Sequence, residues 1–228
     1  MQQKSFIHFF VQGFSLANKS LDILFIYFFL SIPLLMNNTA LSFVFLLINI
    51  AFALSIPQFL SNKVHKKHLG LNEIFNIVVS STRRILLPAI LLFFLFGILV
   101  IIFFGALAVI VHPTEEQGMA FFQGLANGWH PISLAPIILF SFFQFTAFFF
   151  SLENNGIFAS MKKSIVVSLK NLNYIALIIF FETISYSITT VIPKEGMGQL
   201  INITIGSYIS LVITASTLFY YQNVIKKT

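Results

Sequence analysis

The sequence predicts an all-α fold, a polytopic membrane helix bundle with six transmembrane helices and further amphipathic helices at the membrane interface. Composition is the first observation: of 228 residues, 57% are hydrophobic and 9% are charged, with a mean hydropathy of +0.92. Soluble domains carry roughly 25% charged residues. The second observation is that long apolar runs alternate with short segments that hold most of the charges. The chain, residues 1–228, is therefore interpreted as a single integral membrane domain.

Six apolar runs approach the length of a spanning helix, which needs about 20 mostly apolar residues. The first run is short, and the third is long enough to tilt or kink, with Pro88 in its opening turn. The first run follows Lys19 and Asp22 and has no small-residue cleavage site after it. We therefore expect it to remain as an anchor. The predicted spans are approximately residues 21–36, 40–60, 85–111, 131–151, 171–192 and 198–221.

The basic residues predict the orientation, since Lys and Arg are retained on the cytoplasmic side of a membrane. If both termini lie inside, all 13 Lys and Arg residues except Lys194 fall on that side. The outer loop 112–130 then contains Glu115 and Glu116 but no basic residue. We expect a multi-pass protein of the bacterial cytoplasmic (inner) membrane with cytoplasmic N- and C-termini. Its basic inner face would meet anionic lipid head groups.

Segments that precede the outward spans have the spacing of amphipathic helices, which indicates helices lying in the membrane interface. The apolar stripe of the first consists of Phe6, Ile7, Phe10, Val11 and Phe14; that of the second consists of Leu71, Ile74, Phe75, Val78, Val79 and Thr82; a weaker one consists of Ile157, Phe158, Met161 and Ile165.

The tetrapeptide IVVS occurs twice, at Ile77–Ser80 and at Ile165–Ser168. A shift of 88 residues aligns the sequences that follow, with Glu182 opposite Phe94, and a shift of 65 adds the segment that starts at Phe14. This pattern predicts an internal parallel repeat of an interfacial helix followed by a hairpin of two spans. The alternative is that spans rich in Phe, Ile and Leu align without being repeats.

The segment NNGIFASMKKSIVVSLKNLNYIALIIFF, residues 154–181, joins a basic-flanked amphipathic helix to a span. In this it resembles the membrane domain associated with glycerophosphoryl diester phosphodiesterases and related bacterial six-span membrane proteins of unknown function. The hydrolase domain of that family, with its acidic and histidine metal ligands, has no counterpart here. The resemblance therefore implies a membrane module without phosphodiesterase activity.

One carboxylate, Glu182, falls near the middle of a predicted span, about ten residues or roughly 15 Å from its outer end. Such a group costs about 3 kcal/mol on insertion scales, so we expect it to face the bundle interior and to be neutral or paired. Asn49, Gln144 and Ser210 fall at similar or greater depth, and Tyr186 lies one turn beyond Glu182. These five residues form the candidate intramembrane polar site. They would line a ligand or ion site, or else Glu182 holds helices together through a hydrogen bond.

The sequence lacks the residues and motifs that several kinds of catalytic and binding chemistry require. There is no cysteine, no H-E-x-x-H motif, no G-x-S-x-G turn and no P-loop. His112, Glu115, Glu116 and His130 match no fixed metal-binding spacing. We expect no enzyme activity, no metal or other cofactor, and no nucleic-acid partner.

Two functions remain open. The first is a non-catalytic membrane module that organises lipids or a partner membrane protein through its basic inner face and small-residue helix surfaces. In the sixth span, Asn202, Gly206, Ser210 and Thr214 recur every four residues and predict such a packing surface. The second is a small-solute carrier, or the substrate-binding membrane subunit of a transporter, which would use the polar residues around Glu182.

Overall fold

The structure, a computed structural model, describes residues 6–31, 39–66, 70, 72–86, 88, 134–192 and 197–226. These residues are helical or lie in short turns, and none of them is in a strand. The helices are α1 (Phe6–Asn18), α2 (Leu21–Ser31), α3 (Thr39–Val64), α4 (72–86), α5 (Leu134–Ser141), α6 (Thr146–Ser151), α7 (Ile157–Lys170), α8 (Leu172–Val191) and α9 (Met197–Tyr220), which continues as a π-helical turn at Tyr221–Ile225.

Within the described residues, three helices are long and apolar enough to cross a membrane: Phe45–Val64 in α3, Leu172–Val191, and Met197–Ile225. A fourth candidate is the pair α1 and α2, if the two helices count as one span bent by 70°. The predicted spans at 40–60, 171–192 and 198–221 coincide with the three long helices. The predicted third span, apart from its first residues, and the outer loop 112–130 lie outside the described residues.

Helix α1 lies along α9, and its buried face consists of Phe9, Gly13, Leu16 and Ala17. Gly13 allows close approach, because a Cβ atom there would lie 2.1 Å from Ser216 Oγ. The apolar stripe that the sequence assigns to the interface lies mainly on the opposite side, where Ile7, Val11 and Phe14 are exposed. The helix therefore packs through small residues and presents large apolar side chains outward.

The predicted fourth span, 131–151, is not one continuous helix in its described part. A turn at residues 142–145 separates α5 from α6. Two serines of α7 bind this turn: Ser164 and Ser168 Oγ both donate to the Phe142 carbonyl at 2.9 Å. Ser164 Oγ also accepts the Phe145 N–H at 3.1 Å. The break is stable because these hydroxyls replace the backbone hydrogen bonds that a continuous helix would make.

The core contains an aromatic cluster where α1, the broken span, α8 and α9 meet. Tyr174 and Tyr220 stack with ring centroids 3.9 Å apart and an interplanar angle of 1°. Phe145 and Phe9 contact the same pair. The Tyr174 hydroxyl is also hydrogen-bonded to Thr217 Oγ1 at 3.0 Å. The two tyrosines thus join α8 to α9 while their polar ends keep partners.

The repeated IVVS segments are both helical, but their environments differ. Ser168 is fully buried and binds the turn at 142–145, whereas Ser80, its partner under the 88-residue shift, is exposed. In α4 the buried serine is Ser81, which is hydrogen-bonded to Ser55 at 2.8 Å. The internal repeat stays a prediction, and the described residues show no equivalent roles for the two aligned serines.

Candidate functional site

The five residues of the predicted polar site are distributed over four parts of the fold. Asn49 is buried in α3, Glu182 and Tyr186 are half-buried in α8, Gln144 lies in the turn that breaks the fourth span, and Ser210 is exposed on α9. Ser210 lines a small cavity of about 70 Å³ between α2, α3 and α9. The other four line neither this cavity nor the larger one described below. A shared polar site around Glu182 stays a prediction.

The predicted packing surface of the sixth span is largely open in the described part of the chain. Nothing lies within 4 Å of a Cβ placed on Gly206, and Ser210 is exposed. The side of α9 that packs against other helices instead carries Ser207, Leu211, Ala215 and Ser216, among others. Among the described residues the packed face is thus a neighbouring one, and the predicted packing surface stays a prediction.

The larger cavity, of about 440 Å³, lies between the bend that joins α1 to α2 and the C-terminal end of α3. This volume is within the range of ligand-binding sites, about 300–1,000 Å³. Apolar and basic residues both line the cavity. Its lining consists of Leu16, Lys19, Asp22, Ile23, Ile26, Phe52, Phe59, Lys63, Lys66 and Ile74.

An ion pair between Lys63 and Asp22 closes one edge of this basic cavity. The Lys63 ammonium also donates to the Lys19 carbonyl at 3.2 Å, so it ties the end of α3 to the bend between α1 and α2. The ammonium groups of Lys19 and Lys66 have no acceptor among the described residues. Two of the three lysine charges are therefore uncompensated at the cavity.

Lys66 is held in an uncommon backbone conformation, with φ at 55°. Its N–H donates to the Lys63 carbonyl at 3.0 Å as α3 ends. Glycine is the usual residue at such a helix end, because a side chain costs free energy in the left-handed region. A lysine at this position keeps a charge on the rim of the cavity despite that cost.

A second polar cluster lies where α6 and α7 meet the end of α9. The Glu153 carboxylate accepts hydrogen bonds from Lys163, Tyr221 and Asn155. Burial acts to raise the pKa of Glu153, but these hydrogen bonds and the positive charge of Lys163 outweigh it, so the pKa lies below its ordinary value. Glu153 is therefore a carboxylate at neutral pH.

Arg84 connects α4 to the same region. Its guanidinium Nη2 donates to the Phe150 carbonyl at 2.9 Å and to the Asn155 carbonyl at 2.6 Å, and the guanidinium lies 3.9 Å from the centre of the Phe150 ring. A planar guanidinium suits such combined stacking and hydrogen bonding. Arg84 thus stabilises the backbone where α6 ends, in place of contacting a head group.

Helix α7 places its serines inward and its apolar side chains outward. Ser160, Ser164 and Ser168 are fully buried. The exposed side of the helix carries lysines together with large apolar residues: Phe158, Lys162, Lys163, Ile165, Val166, Leu169 and Lys170. A helix with a polar inner side and an apolar, basic outer side is suited to the boundary between lipid tails and head groups.

Sequence reasoning did not identify the Lys63–Asp22 pair, the uncompensated Lys19 and Lys66, or the serines that bind the broken span. Two signals were present. Asp22 is an acid next to an apolar run and requires a cation nearby. The serines of α7 recur every four residues and so share one face of the helix.

The chain matches no protein-family model, no curated protein and no solved structure.

Proposed function

We propose that this protein is a non-catalytic module of the bacterial cytoplasmic membrane that organises anionic lipids, and membrane proteins associated with them, on its basic inner face. The single observation that carries the proposal is the outer side of α7. There Lys162 and Lys170 lie on the same exposed side as Phe158 and Leu169. Lysines attract anionic head groups, while the apolar residues enter the acyl region below them.

The distribution of charge supports the same function. Net charge is +6, and the positive-inside prediction places the lysines of α7 and those at the end of α3 on one side of the membrane. Each basic residue near an anionic membrane surface contributes about 1 kcal/mol of attraction. Several such residues on one face favour anionic over zwitterionic lipid neighbours.

The test is to purify the full chain in a mild detergent and compare the phospholipids that remain bound with those of the membrane from which it came. We expect enrichment of anionic phospholipids, which falls when Lys162 and Lys170 are replaced together by Gln. The control is the replacement of Ser80, an exposed uncharged residue of α4, by Gln. Retained lipids with the composition of the source membrane would contradict the proposal.

The second candidate, a small-solute carrier or the binding subunit of a transporter, depends on Glu182. It has less support, because Glu182 lines neither of the two cavities described above. A carrier needs a continuous polar path that opens to one side of the membrane. Solute uptake that disappears in Glu182→Gln, at unchanged expression, would favour this candidate over the lipid-organising one.

A further inference from the structure

We infer that the basic cavity between the α1–α2 bend and the end of α3 binds the phosphate group of one anionic phospholipid, with the start of its acyl chains against the apolar wall. This inference rests on the proposed function and makes it more specific, since it replaces a general attraction for anionic lipids with one defined site.

Charge is the first reason. Lys63 is already held by Asp22 and by the Lys19 carbonyl. Lys19 and Lys66 line the same cavity, are exposed, and have no acceptor among the described residues. A phosphate diester supplies the missing negative charge and several acceptor oxygens at once. Asp22, the one acid of the cavity lining, would repel a phosphate but is paired with Lys63.

The apolar wall is the second reason, and it distinguishes a lipid from a soluble phosphate. Ile23, Ile26, Phe52 and Phe59 line the same cavity as the lysines. A small hydrophilic anion makes no use of such a surface, whereas the glycerol and first methylene groups of a phospholipid bury apolar area against it. Phe25, on the same helix as Ile23 and Ile26, is 63% exposed.

The conformation of Lys66 is the third reason. Its positive φ is a cost that glycine would avoid, and the side chain held there lines the cavity rim. Strained positions are retained where the side chain has a use.

The experiment titrates phosphatidylglycerol into the delipidated full chain in detergent and counts bound lipids by native mass spectrometry. We expect one lipid per chain to bind before any other. The double variant Lys19→Gln, Lys66→Gln should weaken this first binding step by about 30-fold, given the contribution of each lysine to anionic-lipid attraction. The control Lys162→Gln, Lys170→Gln makes the same change in charge on α7 and should leave the first step within about threefold.

A second variant tests the apolar wall. Ile26→Trp keeps every charge but fills the cavity, so it should weaken phosphatidylglycerol binding while thermal unfolding of the purified protein still reports a folded chain. Inorganic phosphate serves as a competitor in each titration. Competition at millimolar concentration that Ile26→Trp does not alter would show a soluble phosphate as the ligand and overturn the inference.

Different results would contradict the defined lipid site and the proposed function. If the cavity and α7 variants lose phosphatidylglycerol equally, the defined site is wrong while the basic face still attracts anionic lipid. If the unaltered protein binds phosphatidylglycerol no better than phosphatidylcholine, the proposed function itself is wrong.

Discussion

The partly buried carboxylate of Glu153 joins three parts of the chain. Lys163 comes from α7, Tyr221 from the π-helical turn after α9, and Asn155 from the same loop as Glu153. All three donate to the carboxylate, so the ionised form is the one that holds them together. The stability of this corner should therefore depend on pH.

The sign of this dependence follows from the lowered pKa of Glu153. Its contribution to the free energy of unfolding is complete above the ordinary pKa of 4.5 and is lost as the pH falls through the lower pKa of the folded state. Because the side chain is 31% exposed, we expect a contribution of about 1 kcal/mol or less. Unfolding of the protein and of Glu153→Gln, followed in detergent from pH 7 to pH 3, should differ at pH 7 and converge at the acid end.

The matched control is Glu73→Gln. Glu73 is exposed, and its carboxylate accepts one hydrogen bond, from the Gly70 N–H at 3.0 Å. Its substitution should have little effect across the same range. A difference between Glu153→Gln and the unaltered protein that persists unchanged to pH 3 would show that the carboxylate charge is not what matters.

At the scale of the helices, close packing of α1 on α9 decides where the first part of the chain lies. The contact uses Gly13 and Ser216 in place of interlocking large side chains. Small residues let two helix backbones approach and gain van der Waals contact, which is the main source of helix association in lipid. Through this packing, α1 buries one face against α9 and leaves an apolar face exposed.

Gly13→Ala should separate these two helices. The new methyl group would lie 2.1 Å from Ser216 Oγ and 2.5 Å from the Ser216 backbone nitrogen, and the backbone cannot move aside without shifting a helix. We expect a loss of about 1–3 kcal/mol in the free energy of unfolding, measured by thermal or denaturant unfolding in detergent.

Gly206→Ala provides the comparison, since no described residue lies within 4 Å of the added methyl group there. Alanine also has the higher helix propensity, so this variant should be neutral or slightly more stable, by up to about 1 kcal/mol. Equal destabilisation by the two substitutions would contradict the close contact at Gly13.

For the whole molecule, orientation in the membrane is a prediction that can be tested directly. The chain contains no cysteine, so single cysteines report location without interference. On intact cells, a membrane-impermeant maleimide should label Gln117→Cys in the predicted outer loop and should label Lys226→Cys only after lysis. Labelling of Lys226→Cys in intact cells would place the C-terminus outside and remove the basis for a cytoplasmic lipid-binding face.

Helical class and the long helices could be predicted from the sequence because they depend on local properties. Apolar length alone located the helices that the structure places at Leu172–Val191 and Met197–Ile225. The same reasoning did not predict the turn at 142–145, since its stability comes from hydroxyls of Ser164 and Ser168. An apolar run has the same composition whether its helix is continuous or broken.

For the candidate sites, too, the sequence predicted some features and not others. The sequence singled out Glu182 because of its depth within a predicted span. Depth does not show which helix lies opposite, and Glu182 lines neither of the two cavities described above. Lys19 and Asp22 are joined to Lys63, more than 40 residues later, only when α2 and α3 pack side by side.

By itself the sequence determined a helical, basic and strongly apolar chain, because hydrophobicity and charge belong to each residue. Tertiary structure alone decided which faces are buried and which charges meet, because those depend on partners far apart along the chain.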